Sequence, residues 1–302
     1  MPGTGTGRPE LARRIAVAVG TGVRDTRSLG GQHGWGHYAI TLADGREAFA
    51  KVAGTGPRAE TPAEARAAVE AEARGLRWLA EAVAVPIPEV LGWDERALVL
   101  SWVPPGRADT SSARTFGSQL ARLHAAGAVS YGAPWPGYIA SLPLDNSPWP
   151  ADRGWPEWFA ERRILPYLRR AADSGTLSPA DARLVEKVTG RISELAGPAE
   201  APSRIHGDCW SGNVMWSAGR GWLIDPAAHG GHRETDLAML ALFGTPHLEH
   251  IIRGYTQVAP LADGWRSRVP LHQLHPLLVH VCLFGAGYRE PALAAARAAL
   301  SS

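Results

Sequence analysis

Lysine is almost missing from this chain of 302 residues: of its 31 basic side chains 29 are arginine, leaving only Lys51 and Lys187. Cysteine is as scarce. Cys209 and Cys282 alone do not make a disulfide framework, and packing roles are expected for both. Acids and bases are mixed to a net charge of +2, with no basic run of the kind nucleic acid needs. No apolar stretch approaches the roughly 20 residues of a membrane span, and residues 1–9 lack a basic-then-apolar leader pattern. These absences argue against a disulfide-stapled domain, a nucleic-acid partner and a membrane partner. They point to a cytoplasmic protein, expected as a monomer or weak homodimer. What is plentiful is apolar residue, 45% of the chain, enough for a full core in two lobes.

Against that arginine-rich background Lys51 stands out. It sits in Ala48-Phe49-Ala50-Lys51-Val52, an apolar run of strand character. Lysine is a compact point charge on a flexible stem and suits a phosphate, whereas arginine suits fork-shaped pairing. Lys187 reads as an ordinary surface residue.

The sharpest signal is Ile205-His206-Gly207-Asp208-Cys209-Trp210-Ser211-Gly212-Asn213, followed by Leu223-Ile224-Asp225-Pro226. An Asp and an Asn separated by four residues, then an apolar strand ending in Asp, is the spacing of a phosphotransfer loop. A loop of that length can aim Asp208 at a substrate hydroxyl while Asn213 turns back towards Mg²⁺. Asp225 then supplies a second hard oxygen ligand. A hydrolytic metal site built on His206 and Asp208 is the weaker reading, because the remaining histidines show no ligand spacing.

The order of elements agrees. A short amphipathic helix is expected over residues 10–20. A glycine-rich turn over 29–38 contains Gly31 and Gly34, and strands at 39–42 and 46–52 flank the hairpin signal Asp44-Gly45. That is the arrangement of a nucleotide-covering hairpin followed by a phosphate-binding lysine. A helix over 61–82 carries Glu64, Glu70 and Glu72, of which Glu72 is the expected partner of Lys51. Strands are expected at 85–91 and 97–100, with Leu98 and Leu100 walling the nucleotide pocket. Residues 101–106 read as a hinge, where backbone groups at Ser101 and Val103 would meet adenine. The fold class is therefore α+β and bilobal. Residues 1–100 form a small antiparallel-sheet lobe with one main helix, and residues 107–302 form a larger, mostly helical lobe. Helices are expected at 111–126, 157–174, 178–195, 234–243, 247–258 and, in two pieces, 270–300. The Trp-rich stretch 131–158 reads as a packed wrap more than as a substrate wall.

These residues resemble the fructosamine/ketosamine 3-kinase family, within the aminoglycoside-phosphotransferase-like kinases. His206 to Asn213 looks like the family's H-G-D-L-W-S-G-N with Cys209 in place of Leu. Asp225-Pro226-Ala227 and Gly231 to Met239 look like its D-P-A and G-H-R-E-x-D-L-A-M elements, and Trp155 to Arg163 resembles a further family segment. The resemblance covers roughly residue 29 to the C-terminus. It implies a protein-kinase-like fold and ATP-dependent phosphorylation, at position 3, of a fructosamine, ribulosamine or erythrulosamine, free or protein-bound. Asp208 would be the base, Asn213 and Asp225 the Mg²⁺ ligands, and Lys51 with Glu72 the phosphate-orienting pair. Trp210, and with it His206, would lie towards the sugar, while Glu234 and Asp236 would brace the loop. Gln32-His33 stands where some relatives have cysteine, so a redox switch is not expected there. An aminoglycoside or other small-molecule phosphotransferase is the alternative. Residues 227–302 hold five acids against six arginines, which disfavours a polycationic acceptor. A silent nucleotide-binding scaffold is the remote alternative.

Overall fold

The computed structural model describes residues 7–32, 34–54, 61–147, 149–150 and 152–301; His33 of the expected glycine-rich turn lies outside them. Helix α1 (Arg8–Val19) precedes β1 (Val23–Gln32), β2 (Trp35–Leu42) and β3 (Glu47–Ala53). Helix α2 (Pro62–Ala80) then leads to β4 (Val90–Trp93) and β5 (Ala97–Ser101), and the five strands form one antiparallel sheet in the order β1-β2-β3-β5-β4. The period-2 rule decides which way Lys51 faces. Ala48, Ala50 and Val52 point to one side and bury against Leu11 and Ile15 of α1. Phe49 and Lys51 therefore point to the other, where α2 lies.

Helix α2 starts where its sequence says it should. Thr61 accepts the Glu64 amide at 3.3 Å, Glu64 accepts the Thr61 amide at 2.9 Å, and Pro62 occupies the first turn. Its Val69, Ala73 and Leu76 pack on Leu98 and Leu100. The two leucines therefore form core under the helix and do not wall a nucleotide pocket, contrary to expectation.

Two other expectations change. Most of 29–38 is ladder: Gly31 pairs with Gly36 and Gly30 with His37, which leaves Gly34 as the described turn residue between β1 and β2. A side chain at Gly31 would overlap the Trp35 carbonyl, which is why the crossing needs glycine. Residues 85–89 stay outside the sheet because Pro86 and Pro88 have no N–H for a ladder. The carbonyl of Pro86 instead accepts the amide of Leu223, tying this segment to the helical part at 3.1 Å.

Beyond β5 the chain becomes mostly helical. Helix α3 (Thr110–Ala125) is followed by the small hairpin β6 (Gly137–Ile139) and β7 (Leu142–Leu144). Helix α4 (Trp155–Phe159), a wide turn over Ala160–Ile164, α5 (Leu165–Asp173), α6 (Pro179–Gly190) and α7 (Ile192–Leu195) come next. Short strands β8 (Ser203–Ile205), β9 (Val214–Ser217), β10 (Arg220–Leu223) and β11 (His229–Gly231) carry the loop of interest. Helices α8 (Glu234–Leu242), α9 (Leu248–Val258), α10 (Trp265–Phe284) and α11 (Arg289–Leu300) complete the chain. Trp149, Trp155 and Trp158 are buried in the core of this part and Trp135 packs edge-on against Trp78, so these rings fill seams.

Helix α10 begins five residues before the expected 270 and runs through Pro270 and Pro276. The run Trp265–Leu300 is long and apolar enough on average to pass for a membrane span, although no such run was visible as an unbroken apolar stretch. Half of its most apolar window is buried inside the protein, where Leu271, Leu274 and Leu278 form core.

Among the buried histidines are His206, His229, His232, His272 and His275. Burial holds each below the ordinary histidine range, His232 at about 3. The folded state keeps these rings neutral, while the unfolded chain protonates them below pH about 6.5. Stability is therefore lost as pH falls through 6.5, by about 1.4 kcal/mol per pH unit for each ring that stays neutral. Urea unfolding between pH 7 and pH 5 should show this slope, and His275→Leu should reduce it by about one proton. Asp208 and Glu72, raised by burial, take up protons in the fold over the same range and offset part of this slope, so the deciding comparison is the variant: a slope unchanged by His275→Leu would mean that ring is charged in the fold.

Candidate active site

The loop after β8 is held by one carboxylate. Asp236, in the first turn of α8, accepts the amides of His206 at 2.7 Å and Gly207 at 2.9 Å. It also meets His124 Nε2 at 3.1 Å, while His124 Nδ1 lies 2.8 Å from the Tyr255 hydroxyl. Burial alone would raise the Asp236 carboxyl, but the bond from His124 and the amides hold it below the usual range. Gly207 has φ +80°, and a side chain there would overlap the Ala227 carbonyl, so the turn into Asp208 requires glycine.

His206 is fully buried in this bracket. Its Nε2 lies 2.9 Å from the Ile224 carbonyl, which can only accept, so Nε2 carries the hydrogen. Nδ1 is then free to accept the Asp208 amide at 3.3 Å. His206 thus ties the loop to the strand end before Asp225 and does not reach substrate, which corrects the expectation.

Three side chains converge next to it. Asn213 Nδ2 donates to the Asp208 carbonyl at 2.9 Å, to Asp208 Oδ2 at 3.0 Å and to the Asp225 carbonyl at 3.3 Å. Its donor end is therefore occupied by the loop, which leaves the amide oxygen as its ligating end. Asp225 adopts a left-handed backbone, φ +50°, unusual for a residue with a side chain. Its carboxylate lies 3.5 Å from Lys51 Nζ, and Glu72 Oε2 lies 2.8 Å from the same nitrogen. Residues 174 apart in sequence meet here because β3 and α2 face the loop across a cavity of about 500 Å³.

The electrostatics follow from burial and sign. Desolvation would lower Lys51, but Asp225 and Glu72 outweigh it and keep the ammonium charged. Glu72 is pushed up by burial despite Lys51. Burial also acts on Asp225, where Lys51 wins and holds it down. Asp208 is pushed up to about 7, by burial first and then by Asp225. Three carboxylates around one lysine make a site short of positive charge. A divalent cation on Asp225 and the Asn213 oxygen would relieve that imbalance, so these residues fit Mg²⁺.

The expected nucleotide contacts separate. Gly31, Gly34, Ser101 and Val103 do not line the cavity, whereas Gln32, Trp35 and His37 of the same hairpin do. The Ser101 amide donates to the Glu89 carbonyl, and its hydroxyl accepts the Glu89 amide at 2.9 Å, so both groups tie the end of β5 to the segment before β4. Val103 is buried, and Gly34 sits at the turn with φ +86°. His37 pairs directly with Lys51 across the ladder, a same-face relation that the register reveals and the residue spacing did not.

Trp210 is 37% exposed and lines the cavity. Cys209 is buried in core, and Cys282 lies 3.4 Å from the Tyr167 carbonyl, so both pack. His232, Glu234 and His272 cluster with ligand atoms within 4.8 Å. Arg268, however, binds both Glu234 oxygens, at 2.9 and 2.6 Å, so this cluster braces α8 against α10.

A sequence model of the fructosamine kinase family matches residues 23–302. The probable ketoamine kinase YniA of Escherichia coli (strain K12) is 36% identical over 222 residues, covering 71% of this chain and 74% of its own length. The probable ketoamine kinase TTHA1179 of Thermus thermophilus is also 36% identical over 222 residues, covering 72% and 77%. The crystal structure of a fructosamine-3-kinase homologue from Thermobifida fusca YX-ER1 superposes with a TM-score of 0.91 at 52% identity, covering 97% of this chain and 99% of the other. Macrolide 2'-phosphotransferase MphH from Brachybacterium faecium, at 17% identity and a TM-score of 0.63, covers 94% and 97% and shares the protein-kinase-like fold. Matched over nearly its whole length, the chain belongs to the fructosamine kinase family and is an ATP-dependent phosphotransferase.

Proposed function

We propose that the chain transfers the γ-phosphoryl group of ATP to the 3-hydroxyl of a ketosamine: a fructosamine, ribulosamine or erythrulosamine. The observation that carries this reading is the convergence of Asp208, Asn213, Asp225 and Lys51 on one cavity. Residues 101–106 act as the hinge between an N-terminal lobe of residues 1–100 and a C-terminal lobe of residues 107–302. The enzyme works in the cytoplasm on a small-molecule or protein-bound acceptor.

Phosphoryl transfer asks for positioning and charge compensation. Asp208 Oδ1 aligns the sugar hydroxyl and takes its proton as the new O–P bond forms and the bond to ADP breaks. Asn213 Nδ2 keeps the other oxygen, Oδ2, in place. Lys51, itself oriented by Glu72, neutralises charge on the phosphates. Mg²⁺ held by Asp225 and Asn213 would supply further charge compensation. Asp236 acts only through the backbone, by setting where Asp208 begins. Polycationic aminoglycosides are disfavoured as acceptors by the near balance of acids and arginines in residues 227–302.

ATP turnover measured against fructosamine, ribulosamine, erythrulosamine and two aminoglycosides tests the acceptor. At least one ketosamine should be phosphorylated and the aminoglycosides should not; turnover of aminoglycosides alone would reverse the assignment. Asp208→Asn should lower kcat by about a thousandfold with ATP binding, followed by calorimetry, largely retained. Near-wild-type turnover would remove Asp208 from its role. Asp236→Asn weakens the acceptor of two buried amides and should cost about 2–4 kcal/mol of stability, together with a fall in kcat that exceeds any change in KM. Equal melting temperatures for the variant and the parent would contradict the clamp.

A further inference from the structure

The cavity does not end at Asp208. It continues along a wall of rings. Trp210 meets Phe243 edge-on at 6.0 Å, and Phe243 meets His280 at 5.0 Å. His280 lies 5.3 Å from Phe284 and 4.7 Å from Tyr288. All five line the same cavity as the catalytic carboxylates. Three come from the C-terminal end of the chain: His280 and Phe284 stand one helical turn apart on α10, and Tyr288 follows just beyond it.

Two features of this wall point to a ligand. Among the described residues, the large apolar rings left exposed are Trp210 at 37%, Phe243 at 37% and Phe284 at 50%, and all three stand here. Hydrated apolar rings gathered at the rim of a cleft are the signature of a binding surface. The second feature is charge. Glu72, Asp208, Asp225 and Lys51 lie at the nucleotide end, while among the described residues no Asp, Glu, Lys or Arg lines the cavity from Phe243 to Tyr288.

His280 gives the wall an acceptor whose role is fixed. His280 Nδ1 lies 2.7 Å from the Pro276 carbonyl, which can only accept, so Nδ1 carries the hydrogen. Nε2 is then an acceptor. Burial holds this imidazole below its ordinary range, which keeps it neutral near pH 7.

In a ketosamine whose 3-hydroxyl reaches Asp208, the nitrogen is only a few bonds from the reacting oxygen. From Asp208 the cavity opens along Trp210 towards the rings of α10. We propose that the ring wall is the subsite for the group carried on that nitrogen, and that it selects ketosamines of aromatic or other apolar amines, with His280 Nε2 accepting an N–H of the acceptor. This deepens, and rests on, the ketosamine reading. A substituent with a carboxylate beside the nitrogen, as in a glycated α-amino acid, would meet no cation on this wall and would be desolvated without a partner. A polycation would meet no acid.

The test compares the N-benzyl and N-carboxymethyl derivatives of one ketosamine, with a lysine-glycated peptide as a third acceptor. The benzyl compound should exceed the carboxymethyl compound in kcat/KM by at least about tenfold. Phe284→Ala, at a half-exposed position, should shrink that ratio towards one, chiefly through KM. His280→Phe keeps a ring but removes the acceptor atom and should raise KM for both derivatives, whereas His280→Gln restores an acceptor and should fall closer to the parent. A ratio near one in the parent, a ratio unmoved by Phe284→Ala, or a clear preference for the peptide would each overturn the proposal. If neither derivative were phosphorylated, the ketosamine assignment would fail. Calorimetry would then judge the wall by itself: tighter benzyl binding lost in Phe284→Ala would support it, and equal binding of the two derivatives would refute it.

Discussion

Asp236 is the group on which the geometry of the site depends. Backbone amides entering a tight turn have no neighbouring strand to bond, and a buried amide without a partner is costly. One carboxylate takes two of them, His206 and Gly207, and is itself oriented by His124 from a different helix. The bond from His124 and the amides offset the desolvation that would otherwise neutralise it. His206 extends the bracket to Ile224, so the positions of Asp208 and Asp225 are linked through rigid groups that never touch substrate. The left-handed backbone at Asp225 persists because both of its flanks are held in this way.

The second constraint is a charge balance across the cleft. Lys51 reaches the carboxylates because strand alternation turns it away from the apolar layer on α1 and towards α2. Burying one ammonium with Glu72, Asp208 and Asp225 leaves a surplus of negative charge. Burial first, and the nearby Asp225 carboxylate after it, push Asp208 and Glu72 up, while Asp225 stays low beside the ammonium. An arrangement so unbalanced without ligands is suited to hold a cation together with a polyphosphate, whose charges complete it. The scarcity of lysine elsewhere in the chain makes its retention at this position more telling.

The end of the cavity at Asp208 and Lys51 and the end at Phe284 and Tyr288 are built from different material. The first is a set of charged and amide groups held in a rigid bracket. The second is a run of rings contributed by α10 and the segment after it, with a fixed acceptor atom at His280. None of the hydrogen bonds of the Asp236 bracket passes through this wall, so the two ends are held in place independently.

Much of this was legible in residue order. The capping box at Thr61, the Asp44-Gly45 hairpin, the alternation around Lys51 and the spacing from Asp208 to Asn213 are local rules, and the α+β division with a helical C-terminal part follows from them. The pairing of Lys51 with Glu72 was legible too, because helix periodicity singled out one acid of three. Other features were not. Whether His206 meets substrate or is sealed inside, whether Leu98 and Leu100 face a ligand or a helix, and whether Ser101 is open or bonded to Glu89 depend on which surfaces are brought together. Likewise, nothing in the order of residues joins Trp210 to Phe243, His280 and Tyr288. Local patterns report what a segment prefers to become, because backbone sterics and hydrogen bonding act over a few residues. Which side chains end up sharing a cavity is set by packing between distant elements, and that only the folded chain could decide.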